Sequence, residues 1–321
     1  MTYLERLAVE LVLGLAAVPE EVRARHGDYL TRSQQPDGGW TGRDGPSDLY
    51  YTGFALRSLA VLDVLTPAVR ERAASFLRDN LQRRASVVDF FSFLYSAGLL
   101  QASGGPDVLA DTHAGWQDRI AVELVAFRPP DGGYAKTPTP PAPPSQGGEE
   151  NRSQGGVKSA GSTYHTFLVA LCHELIERPL PEPERVCAFL QSRQREDGGY
   201  VEIGPMKRSG TNPTAAAVAT LSMLGSSPGE DVATFLLSMA SPEGGLRANG
   251  RIPAADLLST FTGLWTLREL GAASRLELGA LRRYVEQLAA PTGGFRAGVW
   301  DECVDVEYTF YGVGTLGLVQ A

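Results

Sequence analysis

The sequence predicts an all-α fold, an α/α6 toroid (barrel) of six helix-pair repeats, and three observations carry that prediction. A Gly-Gly turn recurs at Pro36-Asp37-Gly38-Gly39-Trp40, Pro130-Asp131-Gly132-Gly133-Tyr134, Glu196-Asp197-Gly198-Gly199-Tyr200, Pro242-Glu243-Gly244-Gly245-Leu246 and Pro291-Thr292-Gly293-Gly294-Phe295. An acid-x-x-x-Thr phrase recurs as well, clear in Asp48-Leu49-Tyr50-Tyr51-Thr52, Asp256-Leu257-Leu258-Ser259-Thr260 and Asp305-Val306-Glu307-Tyr308-Thr309. Looser copies start at Ser162, Gly210 and Asp89. Third, two kinds of helical pattern alternate along the chain. The phrase starts at 48, 89, 162, 210, 256 and 305 are separated by 41, 73, 48, 46 and 49 residues. A period of this size marks units that bury their apolar faces only by stacking on one another.

The elements follow in order. Residues 3–16 form an amphipathic opening helix with charges inside its apolar pattern, so the segment does not read as a signal peptide. Outer helices are predicted at 67–82, 183–193, 228–239 and 276–288. There, charges mix with apolar residues at helical spacing, as in Val69, Ala73, Phe76 and Leu77. A proline in the first turn, as at Pro67 and Pro183, suits a helix start because that N–H has no helical partner anyway. Inner helices are predicted at 50–62, 163–175, 214–224, 256–267 and 306–318. They are apolar nearly all round, which implies burial on all sides. The second unit lacks the Gly-Gly turn but keeps its helices. The long interval is explained by a Pro/Gly/Ser-rich insertion at 135–161, which has little to bury and reads as a mobile loop beside the mouth. The whole of 1–321 reads as one domain.

Composition narrows the function. The chain has 321 residues, is 43% hydrophobic and carries a net charge of -8, with no basic stripe. Nucleic acid is therefore not an expected partner. Three cysteines without a CxxC pair point to a reducing, cytoplasmic setting and give no disulfide or metal framework. No apolar run approaches the ~18 residues of a membrane span, so stable membrane insertion is not expected.

In such a toroid all inner helices start at one end. The turns and phrases gather around one mouth, with the positive ends of the helix dipoles pointing there. The predicted lining is Tyr50, Tyr51, Phe54, Phe91, Tyr164, His165, Phe167, Phe261, Trp265, Glu307, Tyr308 and Tyr311. Each aromatic can equally be plain core, and His165 a hydrogen-bonded core histidine. Asp48, Asp256 and Asp305 stand where helix caps stand, and Asp is a good cap. Glu307 lies two residues further in. Facing inward it would stay protonated, the state a general acid requires; facing outward it would be an ordinary helix-start acid. Arg251 and the pair Lys207-Arg208 lie in loops that lead to the same mouth, either as surface charge or as an anion clamp.

This repeat resembles the prenyltransferase and terpene-cyclase repeat family, which includes protein prenyltransferase β subunits and class II triterpene cyclases such as squalene-hopene cyclase. The resemblance covers about residues 30 to 321 and is strongest from Gly293-Gly294-Phe295 through Asp305-Val306-Glu307-Tyr308-Thr309-Phe310-Tyr311-Gly312, which looks like the last repeat of a geranylgeranyltransferase β subunit. In those β subunits an Asp, a Cys and a His hold a catalytic zinc. Here Asp256 matches, but Leu258 stands at the Cys position and Tyr308 at the His position, so the resemblance implies no catalytic zinc. Arg251 in Asn249-Gly250-Arg251 matches the diphosphate-binding arginine, with Lys207 and Arg208 nearby; magnesium could accompany a diphosphate. The frame of the cyclase acid phrase Asp-x-Asp-Asp-Thr falls on Asp305 to Thr309, with Glu307 at the acid position.

The resulting expectation is a barrel that binds an isoprenoid or isoprenyl diphosphate. It would act as a zinc-independent prenyltransferase or terpenoid-processing enzyme. Asp256, Asp305, Glu307 and His165 are the catalytic candidates. Arg251, Lys207, Arg208, Tyr51, Trp265, Tyr308 and Tyr311 are the ligand-binding candidates. One alternative is a small class II-type cyclase with Glu307 as acid. The other is a non-catalytic barrel that binds lipid or docks a helical, α-subunit-like partner.

Overall fold

The computed structural model describes residues 1–81, 86–110, 112, 114–139 and 160–320. An opening helix, α1 (Tyr3–Leu15), precedes six helix pairs. The first three pairs are α2 (Glu20–Arg32) with α3 (Leu49–Val61), α4 (Pro67–Asp79) with α5 (Val87–Ala102), and α6 (Trp116–Val125) with α7 (Thr163–Leu175). The others are α8 (Pro183–Arg193) with α9 (Thr211–Met223), α10 (Val232–Ser238) with α11 (Leu257–Glu269), and α12 (Leu278–Leu288) with α13 (Val306–Leu318). A two-stranded antiparallel ribbon, β1 (Phe295–Arg296) and β2 (Val304–Asp305), leads into α13.

The second helix of each pair packs on the second helix of the next pair, and α13 packs back on α3. The toroid predicted from the repeat therefore closes. The two helix classes differ in burial as their sequences require. Inner α13 is buried at every position from Thr309 to Leu318, whereas outer α8 buries only Val186, Phe189 and Leu190.

The two recurring sequence signatures form one joint. At the head of five of the six inner helices a cap side chain accepts a backbone N–H three residues on, as in Tyr51 N to Asp48 Oδ1 at 2.8 Å and Tyr308 N to Asp305 Oδ1 at 2.9 Å, while α9 starts from Gly210 without one. The phrase threonine accepts the N–H of the residue that ends the Gly-Gly turn. Trp40 donates to Thr52 at 3.0 Å, Tyr134 to Thr166 at 2.9 Å, Tyr200 to Thr214 at 2.8 Å, Leu246 to Thr260 at 2.9 Å and Phe295 to Thr309 at 3.2 Å. All five threonines are fully buried, so removing one hydroxyl strands a buried donor at a cost of about 1–3 kcal/mol. The first glycine of the turn has a positive φ, +91° at Gly38. A Cβ there would lie 2.1 Å from the carbonyl oxygen of Arg72 in α4, so the turn of one unit is pressed against the outer helix of the next. Between the last unit and the first, His26 of α2 accepts from Gly294 N at 3.1 Å and stacks on Phe295 at 4.3 Å.

Several boundaries differ from the sequence reading. The second inner helix is capped by Ser86, not Asp89. Asp89 sits at its third position and reaches back to Ser86 N at 3.0 Å, completing a capping box. Phe90 therefore takes the place of the phrase threonine in the one unit without a Gly-Gly turn. Helix α9 begins at Thr211, so Thr214 lies within it, and α10 begins only at Val232, after a turn that Val232 N closes on Gly229 O. Gln82, the last residue of the predicted outer helix, and 140–159 of the predicted insertion lie outside the described residues. The flanks of the insertion are pinned: Ala135 N donates to Phe127 O, Thr139 N to Ala126 O and Gly161 N to Asp131.

Helix α1 is more than a leader. Its N-terminus is held by both Glu174 oxygens, which accept Tyr3 N at 2.9 and 3.1 Å, and Tyr3 Oη accepts Trp265 Nε1 at 2.9 Å. Glu174 and Trp265 lie toward the C-terminal ends of α7 and α11. Helix α1 thus lies across the barrel at the end opposite the mouth. It meets α13 so closely that a Cβ on Gly14 would fall 2.0 Å from Gly317 O. Among the described residues no helix is long and apolar enough to cross a membrane.

Candidate functional site

A cavity of about 380 Å³ occupies the barrel axis, within the range of small-molecule sites. Its walls follow the helical period. The residue two past each cap points inward, giving a first ring of Tyr50, Val88, Tyr164, Asn212, Leu258 and Glu307. One turn deeper come Phe54, Ser92, Leu168, Ala216, Thr262 and Tyr311, and deeper again Arg57, Tyr95, Leu171 and Trp265. Tyr3, Leu4 and Leu7 of α1 form the floor. Ring edges and faces interlock around the axis: Tyr50–Phe54 at 4.9 Å, Phe54–Tyr311 at 5.4 Å, Phe261–Phe310 at 5.3 Å and Phe261–Tyr311 at 5.5 Å. A second groove of about 410 Å³ runs beside the outer side of α1 past Arg6, Glu10, Arg268 and Glu269; it touches none of the mouth residues.

Glu307 is the one phrase acid that enters the cavity. Tyr50 Oη donates to Glu307 Oε1 at 2.8 Å. Burial raises the Glu307 carboxyl above its ordinary range, and Asp305 adds to this. The hydrogen bonds from Tyr50 and Tyr311 and the charge of Arg57 oppose the rise without cancelling it. The resting group is therefore biased toward its protonated form, while three groups stand ready to receive the negative charge left when the proton departs.

The other sequence candidates divide. Trp265 and Tyr311 line the cavity, as do Tyr50, Phe54, Phe91, Tyr164, Phe167 and Phe261. Tyr51, His165 and Tyr308 do not line it; each stands one residue past a first-ring position, and a step of one residue turns a helical side chain by about 100°. Tyr51 packs on the loop at Gly42. His165 Nδ1 lies 2.8 Å from Ser162 Oγ, and burial with the nearby Lys136 charge lowers the imidazole to about 4. Tyr308 meets Tyr311 edge-on at 6.2 Å, and burial raises its phenol to about 12. Asp256 and Asp305 are caps. Asp256 accepts Ser259 N at 2.7 Å and Ser259 Oγ at 2.9 Å, and burial raises it. Asp305 is bound by Arg43 Nε at 3.1 Å, and Arg43 also grips Asp301. Arg251, Lys207 and Arg208 are exposed on rim loops outside the cavity lining. The sequence reading missed Arg57, Glu202, Asn212 and the floor from α1. The signal for Arg57 was present: Tyr50, Phe54 and Arg57 follow the i, i+4, i+7 spacing of one helix face.

The residues present do not suit the zinc of the prenyltransferase resemblance. Asp256 spends its oxygens on Ser259, Leu258 projects a side chain without a donor into the cavity, and Tyr308 is not part of its lining. Among the described residues no group of three or more His, Cys, Asp or Glu is placed to hold a metal ion.

Comparison with known proteins places this geometry. The model of the prenyltransferase alpha-alpha toroid domain matches residues 6–96 and 90–321. Protein geranylgeranyltransferase-I from Candida albicans, complexed with GGPP, superposes with a TM-score of 0.68 at 16% identity, covering 92% of this chain and 91% of that one. A variant of the type II terpene cyclase MstE from Scytonema, in complex with its substrate geranylgeranyl dihydroxybenzoate, gives 0.61 at 16% identity, covering 98% and 99%. A protein from Actinoplanes gives 0.57 at 18% identity, covering 94% and 100%. At these identities the likeness speaks for the fold. No curated protein matches the chain by sequence.

Proposed function

The chain belongs to the prenyltransferase α/α toroid family, and on that premise we propose that it binds a linear isoprenoid in the central cavity and rearranges it by proton-initiated chemistry, with Glu307 as general acid. The observation that carries this reading is Glu307 itself, a carboxyl raised by burial, hydrogen-bonded by Tyr50 and set among aromatic faces. Transfer of its proton to an alkene forms one C–H bond as the π bond breaks, leaving a tertiary carbocation. The faces of Phe261 and Tyr311 stabilise positive charge without offering a strong nucleophile. Attack by a second double bond forms a C–C bond. Loss of a proton from the last cation completes an isomerisation with no net change in atoms. The ligand class is supported by two structural relatives, described with GGPP and with geranylgeranyl dihydroxybenzoate.

Zinc-independent transfer of a prenyl group from its diphosphate is the less favoured reading, because Arg251, Lys207 and Arg208 stand outside the cavity. The proposed chemistry needs no zinc, and magnesium enters only if the ligand carries a diphosphate. We propose that the chain acts in the cytoplasm, in line with its three free cysteines.

The test is turnover of geranylgeraniol, geranylgeranyl diphosphate and geranylgeranoic acid in D2O. Wild type should yield an isomeric product with carbon-bound deuterium, and Glu307→Gln should bind the same ligand without converting it. Full turnover by Glu307→Gln would overturn the assignment, as would release of diphosphate without deuterium uptake.

A further inference from the structure

Arg57 helps to receive the charge on Glu307, but its position in the cavity offers more than that role uses. It stands on the third turn of α3, and its side chain leans back toward the mouth, as helical side chains do. Nε donates to Gly53 O at 3.1 Å, which fixes the stem. The guanidinium lies over the rings of Phe54 at 4.1 Å and Phe310 at 4.9 Å, with Tyr95 at 5.5 Å and Phe91 at 5.7 Å. Four rings from α3, α5 and α13 therefore frame a charge that lines the cavity.

Among the described residues Arg57 makes no ion pair. The two carboxylates of the lining are engaged elsewhere, Glu307 with Tyr50 and Glu202 with Ser162 Oγ and Tyr164 N. A guanidinium has five N–H donors; with one given to Gly53, four remain for a partner inside the cavity. A charge held in an apolar space without a counter-ion is costly, and ring faces offset only part of that cost. Carrying it would be of use to a ligand that brings the counter-ion.

We propose that Arg57 recognises a carboxylate on the ligand, so that the preferred ligand is an isoprenoid acid bound with its acidic group inside the barrel. This rests on the isoprenoid reading and adds the substrate class. The charge balance selects the carboxylate. One guanidinium matches a single negative charge in bidentate geometry, whereas a multiply charged diphosphate would meet one cation and leave its further charge unmatched beside Glu202.

Calorimetric titration at pH 8 with geranylgeranoic acid, its methyl ester and geranylgeranyl diphosphate tests the proposal. Wild type should bind the acid about tenfold or more tightly than the ester. Arg57→Met should lose that preference while still binding the ester, and Arg57→Lys should keep part of it. If wild type binds acid and ester equally, or binds the diphosphate more tightly than the acid, the carboxylate assignment fails while the isoprenoid reading stands. If wild type binds none of the three, the isoprenoid reading fails with it. The wild-type comparison decides the matter even if an Arg57 variant does not fold.

Discussion

Two sets of residues lie within one turn of each other at the head of every inner helix, and they differ in what they share. The caps and phrase threonines, such as Asp48 with Thr52 and Asp305 with Thr309, repeat around the barrel and make the same hydrogen bonds in unit after unit. The first-ring residues between them do not repeat: Tyr50, Val88, Tyr164, Asn212, Leu258 and Glu307 present six different side chains to one cavity. What recurs is what every unit needs to close its joint. What varies faces the cavity, because six units contribute one wall each to a single asymmetric space. A residue that recurs around the ring is thus a poor guide to the chemistry here.

Breaking the joint should cost stability and spare the site. The largest effect is expected for Gly38→Val. Its positive φ and the 2.1 Å approach of a Cβ to Arg72 O should destabilise the barrel by roughly 3 kcal/mol or more, read from urea unfolding. Acid should act next. Burial lowers both His26 and His165 to about 4 from 6.5, so the unfolded chain takes up these protons first. Their contribution is complete above about pH 6.5 and is lost as pH falls toward 4, on the order of 2 kcal/mol at pH 5 for His26 and less for the partly exposed His165. Replacing His26 by Gln should flatten that pH dependence, measured as the urea midpoint between pH 7.5 and 5. Thr309→Val, which strands Phe295 N, should cost about 1–3 kcal/mol and leave ligand affinity unchanged by calorimetry. On the site side, Tyr50→Phe should leave the unfolding midpoint in place and slow product formation about tenfold, because one hydrogen bond to the departing charge on Glu307 is lost.

The contrast also accounts for how far the sequence could be read. The joint was legible because its residues repeat: Gly-Gly turns, acid caps and threonines set six units and their order, and apolar inner helices set the ring. Asp89 misled because an acid at the third helical position imitates a cap when Ser86 already fills that role. Most of the wall's aromatics were legible near helix starts, but Tyr51, His165 and Tyr308 were read as lining because the phrase alone does not fix the rotation of each helix. Arg57 went unread because it lies beyond the phrase, where only the periodicity of α3 points inward. The floor was invisible, because α1 belongs to no repeat and its contact with Trp265 spans nearly the whole chain.

The central claim is that, of the three acids offered as catalytic candidates, Glu307 serves the proposed ligand while Asp256 and Asp305 serve the barrel. The most direct measurement sets the amide variants of all three side by side, recording initial rate and thermal midpoint for each. Glu307→Gln should lose turnover by about a hundredfold or more at an unchanged midpoint. Asp256→Asn and Asp305→Asn should keep turnover, with any loss confined to the midpoint. A Glu307→Gln enzyme that turns over normally, beside an Asp256→Asn or Asp305→Asn enzyme that is folded and inactive, would contradict the account.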